Sequence, residues 1–473
     1  MSKIERTALC VYGHFSQPPR GHPITGEIGA EPEAEPYLNW NDRINQVSYF
    51  PNAQIGNFNR ISFSFSEGLI RWLEQSAPDT YRLIVEADRQ AVAQSGQGGN
   101  ALATAYNHVI LPMARKRDKR TQILWGLAAF ERHYGRKPIG FWLPEMAVDL
   151  ETLSMLAEAG VSYTLLTSRQ LRNLPVNEGA GPYRIDLPDG RSMAVFARTD
   201  ALSAELSFNI HNLGGAGHWC RQVLTPARKA SPVGLTLLAT AGETFGHHYA
   251  GEEQFLYWLV THEARAAGYE LTSLDHYYLT HPPTQAVEVE ERSTWGDQPG
   301  LTAWATGYSD ANHNTLWKGS LRRALDNAAS DIDRVYEEII MPQGIDPWTL
   351  RDGYLPALFA GLTPDEYISE RLPKIKDKDR EILKVVLQAI RLTQRMYNSY
   401  TFTEDNLDSR QPRYAITCAA TALSIVQEAT GRDLNDRLPV DLAVVSSPGT
   451  RVTGADMLRD SIRQFDLSLM KTP

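Results

Sequence analysis

The 473-residue chain carries 47 Lys and Arg against 56 Asp and Glu, a formal net charge of −9, which disfavours nucleic acid as the main partner because phosphate binding wants a basic face. Its 42% hydrophobic share suits a globular protein too long for one ordinary core. With no bilayer-length apolar run and no basic-then-apolar leader at the start, no membrane partner is expected and a cytoplasmic enzyme is the default.

Taken in chain order, residues 8–12 form the first strand candidate, running into Gly13-His14-Phe15-Ser16-Gln17-Pro18-Pro19. Histidine and glutamine just past a strand end supply donors for hydroxyl groups, and the prolines fix the loop. Residues 61–65 alternate at period two and read as a second strand. Residues 94–99, rich in Gly, read as a flexible loop, either a lid or a connector. The polar cluster Tyr106-Asn107-His108 follows, and then a helix over 121–133. Residues 139–143 form a short apolar strand. Pro144 cannot donate to a sheet ladder, so the strand stops there and Glu145 sits at its mouth. A helix over 150–159 leads to strands at 161–166 and 193–196, the latter followed by Arg198-Thr199-Asp200. The sixth strand is 235–239, followed by the run Thr240 to His248, and the weaker 277–279 closes the set.

Strands alternating with helices imply a parallel sheet, and about seven such units fit an incomplete TIM-like barrel of the (β/α)₇ type over residues 1–285. After Pro282-Pro283 the character changes. Residues 287–291 are charged and strand-like, and a Trp- and Gly-rich stretch runs from Trp295 to Trp317. A helix over 316–340 places Leu321, Leu325, Ile332, Val335 and Ile339 on one face. Helices over 376–397 and 413–430 and a strand over 441–445 complete the reading. Residues 286–473 are thus expected to form a mainly helical C-terminal domain that packs beside the barrel mouth and completes the active-site cleft. The cysteines Cys10, Cys220 and Cys418 form no CxxC pair and argue against a disulfide framework or zinc knuckle.

The polar clusters mostly lie where a barrel builds its site, at the C-terminal ends of strands. In order they resemble glycoside hydrolase family 57. The family's first motif, a His-containing segment closing on Gln-Pro, is matched by His14, Gln17 and Pro18. Its Gly-aromatic-Trp-x-x-Glu motif is matched by Gly140-Phe141-Trp142-Leu143-Pro144-Glu145, and its Asp-x-Glu-x-Phe-Gly-His motif by positions 241–247 except the first. Ser293-Thr294-Trp295-Gly296 looks like a one-residue-expanded Ser-Trp-Gly element. The run His14 to Arg20, together with Phe130-Glu131 before Gly135-Arg136-Lys137-Pro138, looks like a poorly characterised bacterial subgroup.

The resemblance implies a retaining mechanism on α-linked oligo- or polysaccharides (an amylase, 4-α-glucanotransferase or branching type), with no cofactor and no metal. Glu145 carries over as nucleophile, which must be ionised, so donors such as Arg198 or His14 are expected to hold its pKa down. The acid/base is the first residue of the last motif, and here it is Ala241. His14, His108 and His247 carry over as sugar ligands, Arg198 and Asp200 as residues shaping the site, and Glu243 as a support. His248 stands where many members have an aromatic residue, and Tyr12 where many have His. Trp142, Trp295 and Trp304 are candidates for stacking on sugar rings.

Alanine cannot transfer a proton, so the chain should lack general acid catalysis. Three explanations compete: a deliberate change that traps a bound oligosaccharide, a natural member that binds glucan without cutting it, and a takeover by Glu243. Extended backbone would set 241 and 243 on one side about 7 Å apart, which disfavours the takeover. An intact cluster around one missing carboxylate favours the first. A metal-dependent polysaccharide deacetylase is a rival enzyme class, but adjacent His247 and His248 point apart on any regular backbone. A non-catalytic glucan-binding protein is the other rival.

Overall fold

Seven short parallel strands form a ring in the computed structural model of the protein, which describes residues 7–175, 179–230, 234–296, 300–448 and 451–465. They are β1 (Ala8–Phe15), β2 (Ser62–Phe65), β3 (Ala103–Thr104), β4 (Phe141–Trp142), β5 (Tyr163–Thr167), β6 (Ser192–Arg198) and β7 (Leu235–Ala241). β1 pairs with β2 along one edge and with β7 along the other, the latter from Ala8–Leu235 to His14–Ala241. Phe63 bridges Ala101 just ahead of β3, β3 pairs with β4, Gly140 bridges Tyr163, and β5 pairs with β6. The Thr199 amide donates to the Leu237 carbonyl at 2.9 Å, which joins β6 to β7 and closes the ring.

The ring has the expected strand number but not the expected membership. Residues 277–279 belong to a helix, Leu274–Thr280, whose N-cap Ser273 accepts from the His276 amide. Their place is taken by β3, two residues long and therefore too short to show any alternation. Period-two alternation sorts the side chains of β1 and β2. Tyr12, His14 and Ser64 meet on one face through short contacts to the Ser64 hydroxyl. On the other face Phe15, Phe58, Phe63 and Phe65 form an aromatic cluster. The charged segment near 287–291 supplies Glu288–Val289, antiparallel to Leu171–Arg172.

The Gly-rich loop is a connector and not a lid. Gly98, Gly99 and Asn100 are buried, and the Gly99 amide donates to the Asp275 carboxylate at 3.0 Å. A Cβ on Gly98 would stand 2.7 Å from Asp275 Cβ, so only glycine allows this approach.

By compactness the chain divides into one unit of Met1–Gln17, Gly29–Tyr106 and Phe130–Trp295, which holds the ring, and a second of Pro18–Ile28, Asn107–Ala129 and Gly296–Pro473. The second unit is helical. Its long helices are Trp317–Ile340, Asp377–Arg395 and Arg410–Thr430, which bury Leu321, Leu325, Ile332, Leu383, Leu387, Ile390, Ile416 and Leu423 against one another. Gly431, at φ 69°, ends the last of these in the left-handed conformation that glycine adopts without steric cost. The strand expected at 441–445 is instead largely helix, Arg437–Ala443. Leu438 and Leu442 are buried one turn apart while Val440 and Val444 face out, a helical period that a five-residue reading could not separate from a strand. Among the described residues no helix is long and apolar enough to cross a membrane.

Candidate active site

Pro144 ends β4 as expected, and the backbone then turns sharply. Glu145 adopts φ 58°, ψ 20° and Met146 φ 45°. Left-handed backbone of this kind costs about 1–3 kcal/mol per non-glycine residue and persists only where the surroundings over-determine it. Here the Glu145 carbonyl accepts from the Thr294 hydroxyl (2.6 Å) and the Trp295 amide (3.3 Å), while Gln170 Nε2 donates to the Met146 carbonyl (2.8 Å). The half-buried Glu145 side chain accepts from the indole Nε1 of Trp295 at 3.1 Å. Arg198, one donor expected for Glu145, bonds Asp200 instead at 2.8 Å.

Beneath this turn lies an aromatic layer. Trp142 stacks on Tyr12 (5.1 Å) and His14 (4.8 Å) and meets Trp295 edge-on (5.6 Å). It is fully buried, so it forms the floor and offers no face on which a sugar can stack; that correction follows from a strand-interior position inside the ring. Trp295 keeps partial exposure beside Glu145. His14 is buried, with Nδ1 2.7 Å from the Ser64 hydroxyl, and Tyr12 shares that hydroxyl at 2.5 Å. Burial pushes the Tyr12 phenol well above its usual pKa.

The end of β7 is built differently. Ala241 is the register partner of His14, and paired residues of adjacent strands project to the same face, so the Ala241 methyl lies on the His14 side. It is partly exposed. Gly242 turns the other way, and a Cβ there would come within 2.3 Å of the Phe15 ring. The chain then enters a tight turn, Gly242–Thr244, not the extended course that would set 241 and 243 on one side. Glu243 is buried, and its Oε1 accepts from Tyr49 Oη (2.7 Å), the Ser16 amide (3.1 Å) and Gln17 Nε2 (3.4 Å). Burial pushes its pKa up to about 7, with these three donors opposing the rise. Glu243 therefore ties the loop after β1 to the loop after β7, and Gln17, whose Nε2 also reaches Tyr49 at 3.0 Å, joins that tie.

Asp200 links two further strand ends, accepting from Arg198 and from the amide of Ser168 at 2.9 Å as well as its hydroxyl. His247 lies edge-on to Trp40 at 6.3 Å. His247 and His248 do not point apart: both amides bond the Glu243 carbonyl, and the turn brings the rings to 5.5 Å. Among the described residues no three His, Cys, Asp or Glu side chains converge on a metal position. His108 and Trp304 belong to the second unit. His108 is also left-handed (φ 54°), buried, 2.7 Å from the Ser399 hydroxyl and stacked on Tyr400 at 5.6 Å. Burial lowers its pKa to about 3, so the ring is neutral. Trp304 Nε1 donates to Thr403 at 3.4 Å.

Sequence reasoning missed Tyr49, Ser64, Ser168 and Thr294. Ser64 was legible, since Ser62 and Ser64 alternate with Phe63 and Phe65; the other three act across long sequence separations and left no local signal.

The glycosyl hydrolase family 57 profile matches residues 27–290, and a domain of unknown function, DUF3536, matches 313–471. No curated protein matches. Among solved structures, the chain is similar to an exo-type maltose-forming amylase from Pyrococcus sp. ST04, at 15% identity and TM-score 0.72 over 96% of this chain and 88% of that one. It is also similar to a branching enzyme from Pyrococcus horikoshii (14% identity, TM-score 0.59, 98% and 95% covered). A third is a 4-α-glucanotransferase from Thermococcus litoralis (15% identity, TM-score 0.55, 90% of this chain and 60% of that one). At these identities the structures speak to fold alone, and they carry the TIM-like barrel of the ring described above. The profile covers more than half of the chain, and the chain belongs to glycosyl hydrolase family 57.

Proposed function

We propose that the chain binds α-linked glucan at the C-terminal mouth of the ring and is built for retaining glycosyl transfer, with Glu145 as nucleophile and its acid/base position filled by Ala241. The observation that carries this reading is the layer linking the two strand ends. Ala241 is paired with His14, His14 stacks on Trp142, Trp142 meets Trp295, and Trp295 holds the Glu145 carboxylate. Both positions thus border one aromatic floor.

Retention needs two carboxyl groups about 5–5.5 Å apart on either side of the glycosidic bond. Ionised Glu145 attacks the anomeric carbon and displaces the leaving oxygen, and the indole N–H of Trp295 orients its carboxylate. The leaving oxygen must gain a proton in the same step, and a methyl group at 241 has none to give. Glu243 does not replace it, because its carboxyl is buried and committed to Ser16, Gln17 and Tyr49. The protein as it stands therefore binds glucan and cleaves it slowly. Loss of a general acid lowers the rate by about 10²–10⁴-fold.

The test is to incubate the unmodified chain and the Ala241→Asp variant with α-1,4-linked glucan oligomers and to resolve products by chain length. Cleavage or transfer about 10²–10⁴-fold faster by the variant is the expected result. Equal inactivity of both proteins, alongside turnover of a different polymer, refutes the substrate class.

A further inference from the structure

Three side chains in the floor of the site meet at one oxygen, and the positions of their protons follow from how those contacts are shared. Tyr12 and Ser64 are fully buried and His14 nearly so. The Ser64 hydroxyl lies 2.5 Å from Tyr12 Oη and 2.7 Å from His14 Nδ1. Tyr12 and Ser64 face each other across the β1–β2 pairing, and all three side chains project to the same face of the sheet.

Two contacts share two hydroxyl protons. Burial raises the phenol of Tyr12 and only its bond to Ser64 opposes the rise, so Tyr12 keeps its proton. A buried hydroxyl that donates to nothing is costly. Both hydroxyl protons lie within the two contacts in one order alone: Tyr12 donates to Ser64, and Ser64 donates to His14 Nδ1. If Nδ1 carried a proton and donated to Ser64, the proton of Ser64 or of Tyr12 would be expelled from this pair of bonds at a position closed to water. The bond made by one ring nitrogen of a histidine sets the state of the other. Nδ1 is thus an acceptor, and the ring proton sits on Nε2. His14 shares its face with Ala241 and stacks on Trp142, so that N–H belongs to the floor bordering both strand ends.

We propose that Tyr12 and Ser64 are positioning residues that hold His14 in its Nε2–H tautomer, ready to donate a hydrogen bond to a hydroxyl of the glucan. The donor role rests on the glucan reading above, whereas the tautomer does not.

The experiment labels the histidines and tryptophans of the full chain with nitrogen-15 and reads the ring nitrogens of His14 by NMR near neutral pH. Loss of signals in His14→Gln assigns them. Nδ1 without a proton and Nε2 with one is the expected pattern. Tyr12→Phe removes the hydroxyl and keeps the ring on Trp142, so Ser64 becomes able to accept from Nδ1. The ratio of Nδ1-protonated to Nδ1-free His14 should then rise about tenfold, with circular dichroism and a cooperative thermal transition establishing that the variant is folded. A protonated Nδ1 in the unmodified chain, or a ratio unchanged by Tyr12→Phe, overturns the tautomer assignment. Maltotetraose is added next, and the indole signal of Trp295 reports its binding. Movement of both that signal and His14 Nε2 is expected. If Trp295 moves and Nε2 does not, the donor role is overturned; if neither moves, the glucan reading fails and takes the donor role with it, while the Nδ1 result still decides the tautomer.

Discussion

The ends of β4 and β7 treat a carboxylate in opposite ways. At β4 the glutamate is held in left-handed backbone, half-buried, with its carboxylate accepting from the Trp295 indole. At β7 the mouth position is a methyl group, and the nearby glutamate is buried under three donors from two other segments. One end spends conformational energy to present an oxygen, while the other spends desolvation to join two loops. A carboxylate in a motif is therefore a reagent or a rivet according to its burial and its donors, not its residue type.

The sharpest way to break this contrast is to remove Glu145 where the partner has been restored. In the Ala241→Asp background, Glu145→Gln should abolish glucan turnover by about 10⁴-fold or more, read as initial rate; substantial residual turnover means that another group attacks. Glu243 gives the converse test. Its folded pKa of about 7 lies above an ordinary value of 4.5, so between those values the folded protein holds a proton that the unfolded chain releases. Its contribution to stability is complete below about pH 4.5 and falls by about 3 kcal/mol as pH rises through 7. Denaturant melts of Glu243→Gln should lack that fall, whereas a loss of turnover in the Ala241→Asp background as large as that from Glu145→Gln would make Glu243 catalytic.

Gly242→Ala forces a methyl against the Phe15 ring and should cost about 1–3 kcal/mol, recovered in part by Phe15→Leu. The smallest effect expected is from Trp295→Phe, which removes the charge-assisted bond to Glu145. It should lower turnover of the Ala241→Asp enzyme by about tenfold with the thermal midpoint nearly unchanged; a large drop in midpoint would show that Trp295 holds the fold more than the carboxylate.

Six of the seven barrel strands were legible, five as short apolar runs and the one at residues 61–65 by its period-two alternation. Two were displaced or hidden for a common reason: Ala103–Thr104 is too short to carry a period, and 277–279 is apolar enough for strand or helix alike. Gln94 to Gly99 looked mobile because glycine usually signals freedom, yet Gly98 is there to let Asp275 approach. Trp142 looked like a platform, and only the ring around it shows that it is fully buried against Tyr12 and His14.

Pro144 fixed by itself where β4 stops, since proline cannot continue a ladder, and so placed Glu145 at a strand end. The absent carboxyl at 241 and the alternation of Ser62 and Ser64 were likewise readable from residue order. The fold decided what each polar group faces. Bringing Tyr49, Ser16 and Gln17 onto Glu243, and Thr294 and Trp295 onto Glu145, takes pairings across 149 to 227 residues. Such contacts form only when the sheet closes, because no local preference of the chain encodes a partner that far away.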